Sequence, residues 1–217
     1  MSFPYQLRLS KKRKTVAIKI KQGTVWVYAP STISHSWLNE WLASKTQWVM
    51  KYQAQSQAQS IAEQETKQRT LWLFGEVYQL QIVADGHDCI DDERKVITLQ
   101  GEPEQWMLAK HRFLQAQLQP WLMARLAYWQ AQMGMNVTSV KVRWYKSRWG
   151  SCDSKGRLTF NLLLASLPQE CIDYVIVHEL AHRQHLNHSP AFWLLVARYF
   201  PAYSAAKVQI RQLAKQF

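Results

Sequence analysis

In His178-Glu179-Leu180-Ala181-His182 two histidines stand four residues apart. On a helix that spacing puts them one turn, ~6 Å, along one face, where both imidazoles can reach a single metal ion. Glu179 projects about 100° round the helix from His178, near enough to take a proton from a metal-activated water as general base without ligating the ion. This is the spacing of zinc metallopeptidases. Two further histidines follow, and both are candidates for a third ligand. His185 shares the helical face, but it would sit ~10 Å along the axis from His178, and three ligands in a row cannot surround an ion. His188 follows Asn187, a residue able to take the left-handed conformation that ends a helix, so the chain can turn back and present a ligand from another side. His188 is therefore the expected third ligand, and His185 is read as a surface or supporting residue. Three neutral imidazoles suit zinc, one ion per chain, far better than magnesium, with another divalent metal as the alternative.

The elements that must position these residues are legible around them. Pro168 opens a helix as its expected first residue, and the helix is expected to run to about His185, with Tyr174-Val175-Ile176-Val177 and Leu180-Ala181 making it apolar on most sides. Imidazoles and a carboxylate in such a helix are costly without a metal to pair them. Ser189-Pro190 caps another helix that continues to Tyr199, and Lys207 to Lys215 reads as the last. Upstream, Ser139 to Trp144 and Arg157 to Leu163 read as strands. The segment from Lys141 to Arg157 holds six basic residues and one acid, Asp153, so Lys146 and Arg148 are candidate substrate contacts. Trp149 and Cys152 are expected to pack inward, and Gly150 to supply a turn. A long helix from about Pro103 to Met133, with a break expected at Pro120, precedes this region.

The first third of the chain is richer in strands. Thr15 to Ile20 and Thr24 to Tyr28 alternate as a hairpin about Gln22-Gly23. From Leu7 to Ala29 there are seven basic residues and no acid, which is either edge protection or a contact for a polyanion. Ser34 to about Gln68 has helical spacing, and its Gln/Ala/Ser-rich second half reads as an exposed extension without chemistry. Strands are expected at Leu71 to Phe74, Val77 to Val83 and Val96 to Leu99. The acidic run from Asp85 to Glu93 reads as a surface loop that does not match a calcium site. The resulting division is a strand-rich part over residues 1–102 and a catalytic unit over 103–217, or one continuous domain.

Composition bounds the remaining choices. The 217 residues are 47% hydrophobic and 19% charged, with 7 Gly and 7 Pro, which excludes disordered and collagen-like chains. A net charge of +12 favours polyanionic partners without choosing among them. Cys89, Cys152 and Cys171 form no C-x-x-C pair, so neither a disulfide framework nor a cysteine-rich zinc site is supported. No apolar run approaches 18 residues and the N-terminus lacks a secretory apolar core, so a cytoplasmic protein without a membrane partner is expected.

Several stretches together carry a resemblance: Lys146-Ser147-Arg148-Trp149-Gly150-Ser151-Cys152, then Gly156, Leu158 and Asn161, Asp173-Tyr174-Val175 leading into the two-histidine helix, and Asn187-His188-Ser189-Pro190-Ala191-Phe192-Trp193. With Arg13-Lys14-Thr15 and Ala29-Pro30, the chain resembles the YgjP-like metallopeptidases, related to the WLM and SprT-like proteases. The resemblance implies an α+β, zincin-like fold whose H-E-x-x-H helix packs on a small antiparallel sheet, preceded by a β-rich part with a long helix. It also implies that His178, His182 and His188 bind zinc and that Glu179 activates water. Tyr203 enters as a substrate-binding residue, with Ala202 standing where the family pattern has an acidic one. A zinc-dependent hydrolase cleaving peptide bonds is the leading expectation. A metal-dependent nucleoside triphosphate pyrophosphohydrolase is the first alternative, and a DNA-associated protease or nucleic-acid-binding protein the second, so the partners are a peptide or nucleotide, or nucleic acid through the basic surface.

Overall fold

The computed structural model describes residues 3–216, and its first strands are β1 (Gln6–Ser10), β2 (Ala17–Lys21) and β3 (Thr24–Pro30). Gln22 and Gly23 lie at φ +49° and +75°, because a two-residue turn needs left-handed residues to match the twist of the strands it joins. The expected hairpin forms, with Ala17 opposite Tyr28 and Lys21 opposite Thr24. β1 then pairs in parallel with the other side of β3, giving the order β1-β3-β2.

The single helix expected from Ser34 to Gln68 is two helices, α1 (His35–Ser44) and α2 (Thr46–Arg69). Ser44 Oγ donates to the Trp41 carbonyl at 2.7 Å and Thr46 Oγ1 to the Ala43 carbonyl at 2.9 Å, so side-chain hydroxyls compete with amides for the ladder where it is interrupted. Leu38, Leu42 and Val49 close on Val25 and Val27. The Gln-rich stretch has a structural role after all. Gln53 Nε2 donates to the Gly23 carbonyl at 2.7 Å, and Ser56 Oγ accepts from the Gly23 N–H at 3.4 Å, tying the hairpin turn to α2.

These elements form one compact unit, Met1–Lys67, and the rest of the chain forms a second, Gln68–Phe217. This division lies at 67/68, whereas the order of strands and helices suggests 102/103 or one continuous domain. The reason is the core: Leu71, Leu73, Ile97 and Leu99 are buried in one cluster with Leu114, Leu118 and Ile176, so the strands that carry them belong with the helices that follow. Those strands are β4 (Thr70–Leu73), β5 (Glu76–Val83), β6 (Cys89–Asp91) and β7 (Val96–Gln100), in the order β4-β5-β7-β6. β6 lies inside the acidic run read as a loop, where it pairs antiparallel with β7.

α3 (Trp106–Met133) passes through Pro120 without ending. Pro120 and Ala116, whose carbonyl loses its amide partner, are both exposed, on the side of the helix where water can reach an unpaired carbonyl. The opposite stripe of Leu114, Leu118, Leu122 and Leu126 is buried, and at roughly 1.5–3 kcal/mol per buried leucine it offsets the lost bond. The next sheet is β8 (Ser139–Arg143), β9 (Gly150–Cys152) and β10 (Arg157–Asn161), in the order β8-β10-β9. It is mixed where an antiparallel sheet was expected, since β10 runs parallel to β8 and antiparallel to β9.

Three helices complete the chain: α4 (Gln169–Ala181), α5 (Pro190–Tyr199) and α6 (Tyr203–Leu213). Pro168 is the N-cap of α4, one position before its expected place. Cys171, Ile172, Val175, Ile176, Val177, Leu180 and Ala181 are all buried, which accounts for the apolar character of α4 on most sides. Among the described residues no helix is long and apolar enough to cross a membrane.

Candidate metal centre

α4 ends at Ala181 rather than near His185, and the way it ends shapes the site. Arg183 N–H bonds to the Leu180 carbonyl at 2.8 Å and Gln184 N–H to the Ala181 carbonyl at 3.1 Å, so the last turn tightens into i,i+3 bonds. Asn187 contributes no left-handed residue: among the described non-glycine residues, positive φ occurs only at Gln22, Phe74 and Lys95. Short turns after His182 reverse the chain instead, and Ser189 then caps α5 by accepting from the Phe192 N–H at 3.4 Å. His188 sits just before that cap.

The outcome is a triangle. One ring nitrogen from each of His178, His182 and His188 lies within 4.8 Å of the others, and His188 Nε2 is 3.0 Å from His178 Nε2. His182 Nδ1 is 2.9 Å from the His185 carbonyl, which, as acceptor of an Nδ1–H, leaves the Nε2 lone pair free. His185 thus enters through its backbone and not its imidazole. Tyr174 Oη lies 3.4 Å from His178 Nδ1 and can orient that ring in the same way.

Phe192 is fully buried, and its ring centroid is 4.9, 4.7 and 4.8 Å from those of His178, His182 and His188. It is an apolar support touching all three imidazoles. Trp193 stacks on His188 at 5.6 Å, Tyr203 stacks on Trp193 at 5.4 Å, and Lys207 Nζ stands 4.1 Å from the Trp193 ring centroid. α5 and α6 therefore wall one side of the triangle. Lys207 belongs to this wall and was missed from sequence, although it lies four residues after Tyr203 on the same helical face.

Burial pushes His178 down to about 3, with His182, His188 and Lys207 adding repulsion. Burial also lowers His188, again helped by His182 and Lys207. His178 and His188 are thereby held in the unprotonated form that a divalent ion requires, and three imidazole nitrogens match the donor chemistry of zinc. Glu179 is 6% exposed, and burial raises its carboxyl to about 8 against the opposing pull of Arg148. A Cβ placed on Gly150 would lie 2.7 Å from Glu179 Cγ and Oε1. Gly150 is therefore not the expected turn: it is a strand residue that lets the Glu179 side chain lie against the backbone of β9.

The remaining candidates divide. Tyr203 joins the aromatic wall, and Arg148 is close enough for its charge to act on Glu179. Lys146 is exposed and makes no hydrogen bond or ion pair among the described residues. Two supporting residues stood in the sequence without an assigned role. Asn161 is buried, donates Nδ2 to the carbonyls of Tyr145 and Arg148 at 3.0 and 2.7 Å, and accepts from Leu163 N–H at 3.1 Å, pinning the basic loop to β10. Asp173 accepts from Arg125 Nε, Arg125 Nη2 and Trp129 Nε1, each at 2.8 Å, locking α4 against α3. A buried asparagine at a strand end and an acid in an apolar helix were the available signals.

A family model described as YgjP-like, metallopeptidase domain, matches residues 14–213. No curated protein gives a significant match. Among solved structures, the chain is similar to the metallopeptidase zymogen of Pyrococcus abyssi abylysin, with 26% identity over 43% of this chain and 93% of that one and a TM-score of 0.38. It is also similar to the metallopeptidase zymogen of Methanocaldococcus jannaschii jannalysin, with 18% identity over 44% of this chain and 97% of that one and a TM-score of 0.38.

Proposed function

The chain belongs to the YgjP-like metallopeptidase family, and from that premise we propose that it is a zinc-dependent peptidase of zincin type in which His178, His182 and His188 hold the ion and Glu179 is the general base. The observation that carries this reading is the convergence of three imidazole nitrogens within 4.8 Å, beside a buried carboxylate on the same helix. Bound zinc supplies Lewis acidity toward a carbonyl oxygen and acidifies water.

The chain's own residues supply the rest. A Glu179 oxygen accepts the proton of the attacking water and hands it to the departing amine. The His185 carbonyl and Tyr174 Oη orient two of the imidazoles. β9 is an edge strand. The bonds Asn161 N–H to Trp149 carbonyl and Asp153 N–H to Arg157 carbonyl put positions 149 and 153 in hydrogen-bonded pairs with β10, so by alternation the N–H groups of Gly150 and Cys152 point to the free edge. An extended peptide pairing there runs alongside Glu179.

The test is turnover of casein by zinc-loaded protein beside Glu179→Gln. The parent is expected to cleave, and the variant to retain zinc while losing roughly 10²- to 10⁴-fold in rate. A nucleoside triphosphate panel with Zn²⁺ or Mg²⁺ is the arm for the pyrophosphohydrolase alternative, which predicts release of pyrophosphate and no casein cleavage.

A further inference from the structure

Within residues 1–67 the sheet β1-β3-β2 has two unlike faces. Leu7, Ile18, Ile20, Val25 and Val27 pack with the helices in the core. Side chains alternate along a strand, so the other face carries Trp26 and Tyr28 from the central strand, Arg8 from β1, and Lys19 and Lys21 from β2. The register sets Arg8 beside Tyr28 and Lys19 beside Trp26. The Arg8 guanidinium stands 4.6 Å from the Trp26 ring centroid, and Arg13 and Lys19 stand 5.1 and 5.8 Å from that of Tyr28. Arg8, Lys19 and Lys21 are exposed and the two rings half-buried. No acidic residue occurs in the chain before Glu40, so nothing on these strands neutralises the cations.

Lysines on β2 would be explained by protection of a sheet edge. That does not account for two aromatic rings on the outer face of the central strand, where the core has no use for them. Their side chains start ~6.6 Å apart, two residues along one strand, with cations held over both rings. A ligand matching this face offers flat π surfaces and repeated negative charge together. An acidic peptide supplies the charge but nothing for the rings, and a bilayer surface wants protruding apolar groups where this face has its rings under cations. We propose that this face binds single-stranded nucleic acid. Bases stack on Trp26, on Tyr28 or on the guanidinium plane held over Trp26, while Arg8, Arg13, Lys19 and Lys21 meet phosphates. The proposal does not depend on the peptidase reading.

The test is fluorescence anisotropy of a short labelled oligothymidylate, and separately of an oligouridylate, titrated with the full chain at several salt concentrations. Binding is expected to weaken with salt, and tighter binding of either probe supports the proposal and identifies the preferred sugar. Tyr28→Ala should weaken binding about 5- to 150-fold with little change in salt dependence. Arg8→Gln and Lys19→Gln, both at exposed side chains and so independent of whether Tyr28→Ala folds, should each reduce the slope of log affinity against log salt by about 0.7. Lys51→Gln on α2, outside the face, should leave affinity unchanged. The proposal is overturned by absence of binding, by equal losses in Lys51→Gln and the face variants, or by full displacement of the probe with polyglutamate at matched charge. It is equally overturned if Arg8→Gln and Lys19→Gln release the chain from phosphatidylglycerol vesicles while leaving oligonucleotide binding intact.

Discussion

A Cβ on Gly150 would stand 2.7 Å from Glu179 Oε1, so the strand gives up a side chain at a place where the buried carboxylate lies against it. Gly150→Ala should therefore displace Glu179 without touching any imidazole. A misplacement of this kind can lower turnover by ~10², while zinc content by elemental analysis stays at the parental level. Parental turnover in the variant would show that the carboxylate does not act from this position.

His188→Ala should weaken zinc retention far more than His185→Ala. His188 presents a ring nitrogen to the triangle, whereas His185 contributes its backbone carbonyl to His182, and a side-chain substitution leaves that carbonyl in place. Equilibrium dialysis against a competing chelator gives the two affinities. Equal losses, or the reverse order, contradict the assignment of the third ligand.

In the chelator-treated chain, His178 and Glu179 titrate with opposite effects on stability. His178 falls from an ordinary 6.5 to about 3 by burial and by repulsion from neighbouring imidazoles, so between those values the unfolded chain binds the extra proton and stability rises with pH. Glu179 rises from an ordinary 4.5 to about 8, chiefly by burial, so between those values the folded chain binds the extra proton and stability falls as pH rises. His188, also lowered by burial, adds to the rise below about pH 6.5, so the sum is an increase up to about pH 4.5, a gentler rise to about pH 6.5, and a decline from there to about pH 8. Glu179→Gln removes the declining limb. Urea midpoints of parent and variant across this range should converge at low pH and separate at pH 8, the variant being the more stable; an identical decline in both refutes the carboxylate as its source.

Asp173→Ala strips the acceptors from Arg125 and Trp129. Hydrogen bonds to charged groups contribute about 1.5–3 kcal/mol each, and Arg125 regains part of its solvation because its side chain is 33% exposed. A loss of roughly 2–3 kcal/mol in unfolding free energy is expected, read by urea denaturation of the zinc-loaded protein. A loss below about 0.5 kcal/mol, the range of an ordinary surface substitution, means that this clamp does not hold α4 in place.

Adjacent residues carry periodicity, so the sequence by itself determined the local features: the helix that carries His178 and Glu179, the turn at Gln22-Gly23 and the Ser189-Pro190 cap; it also pointed to His188 rather than His185. The structure brings the His188 ring, and not that of His185, beside His178 and His182, but Asn187 is not left-handed; the reversal comes from short turns at the end of α4, whose bonds no residue type announces. Pairing across distance was decided by tertiary structure. The parallel partners of β3 and β10, and the core that claims β4 to β7 for the second unit, depend on which surfaces meet once chain entropy has been overcome. The same holds for Gly150 and Lys207. A glycine in sequence reads as a turn because its freedom of φ is a local property, whereas its lack of a side chain matters only when a second element, here α4, comes within contact distance.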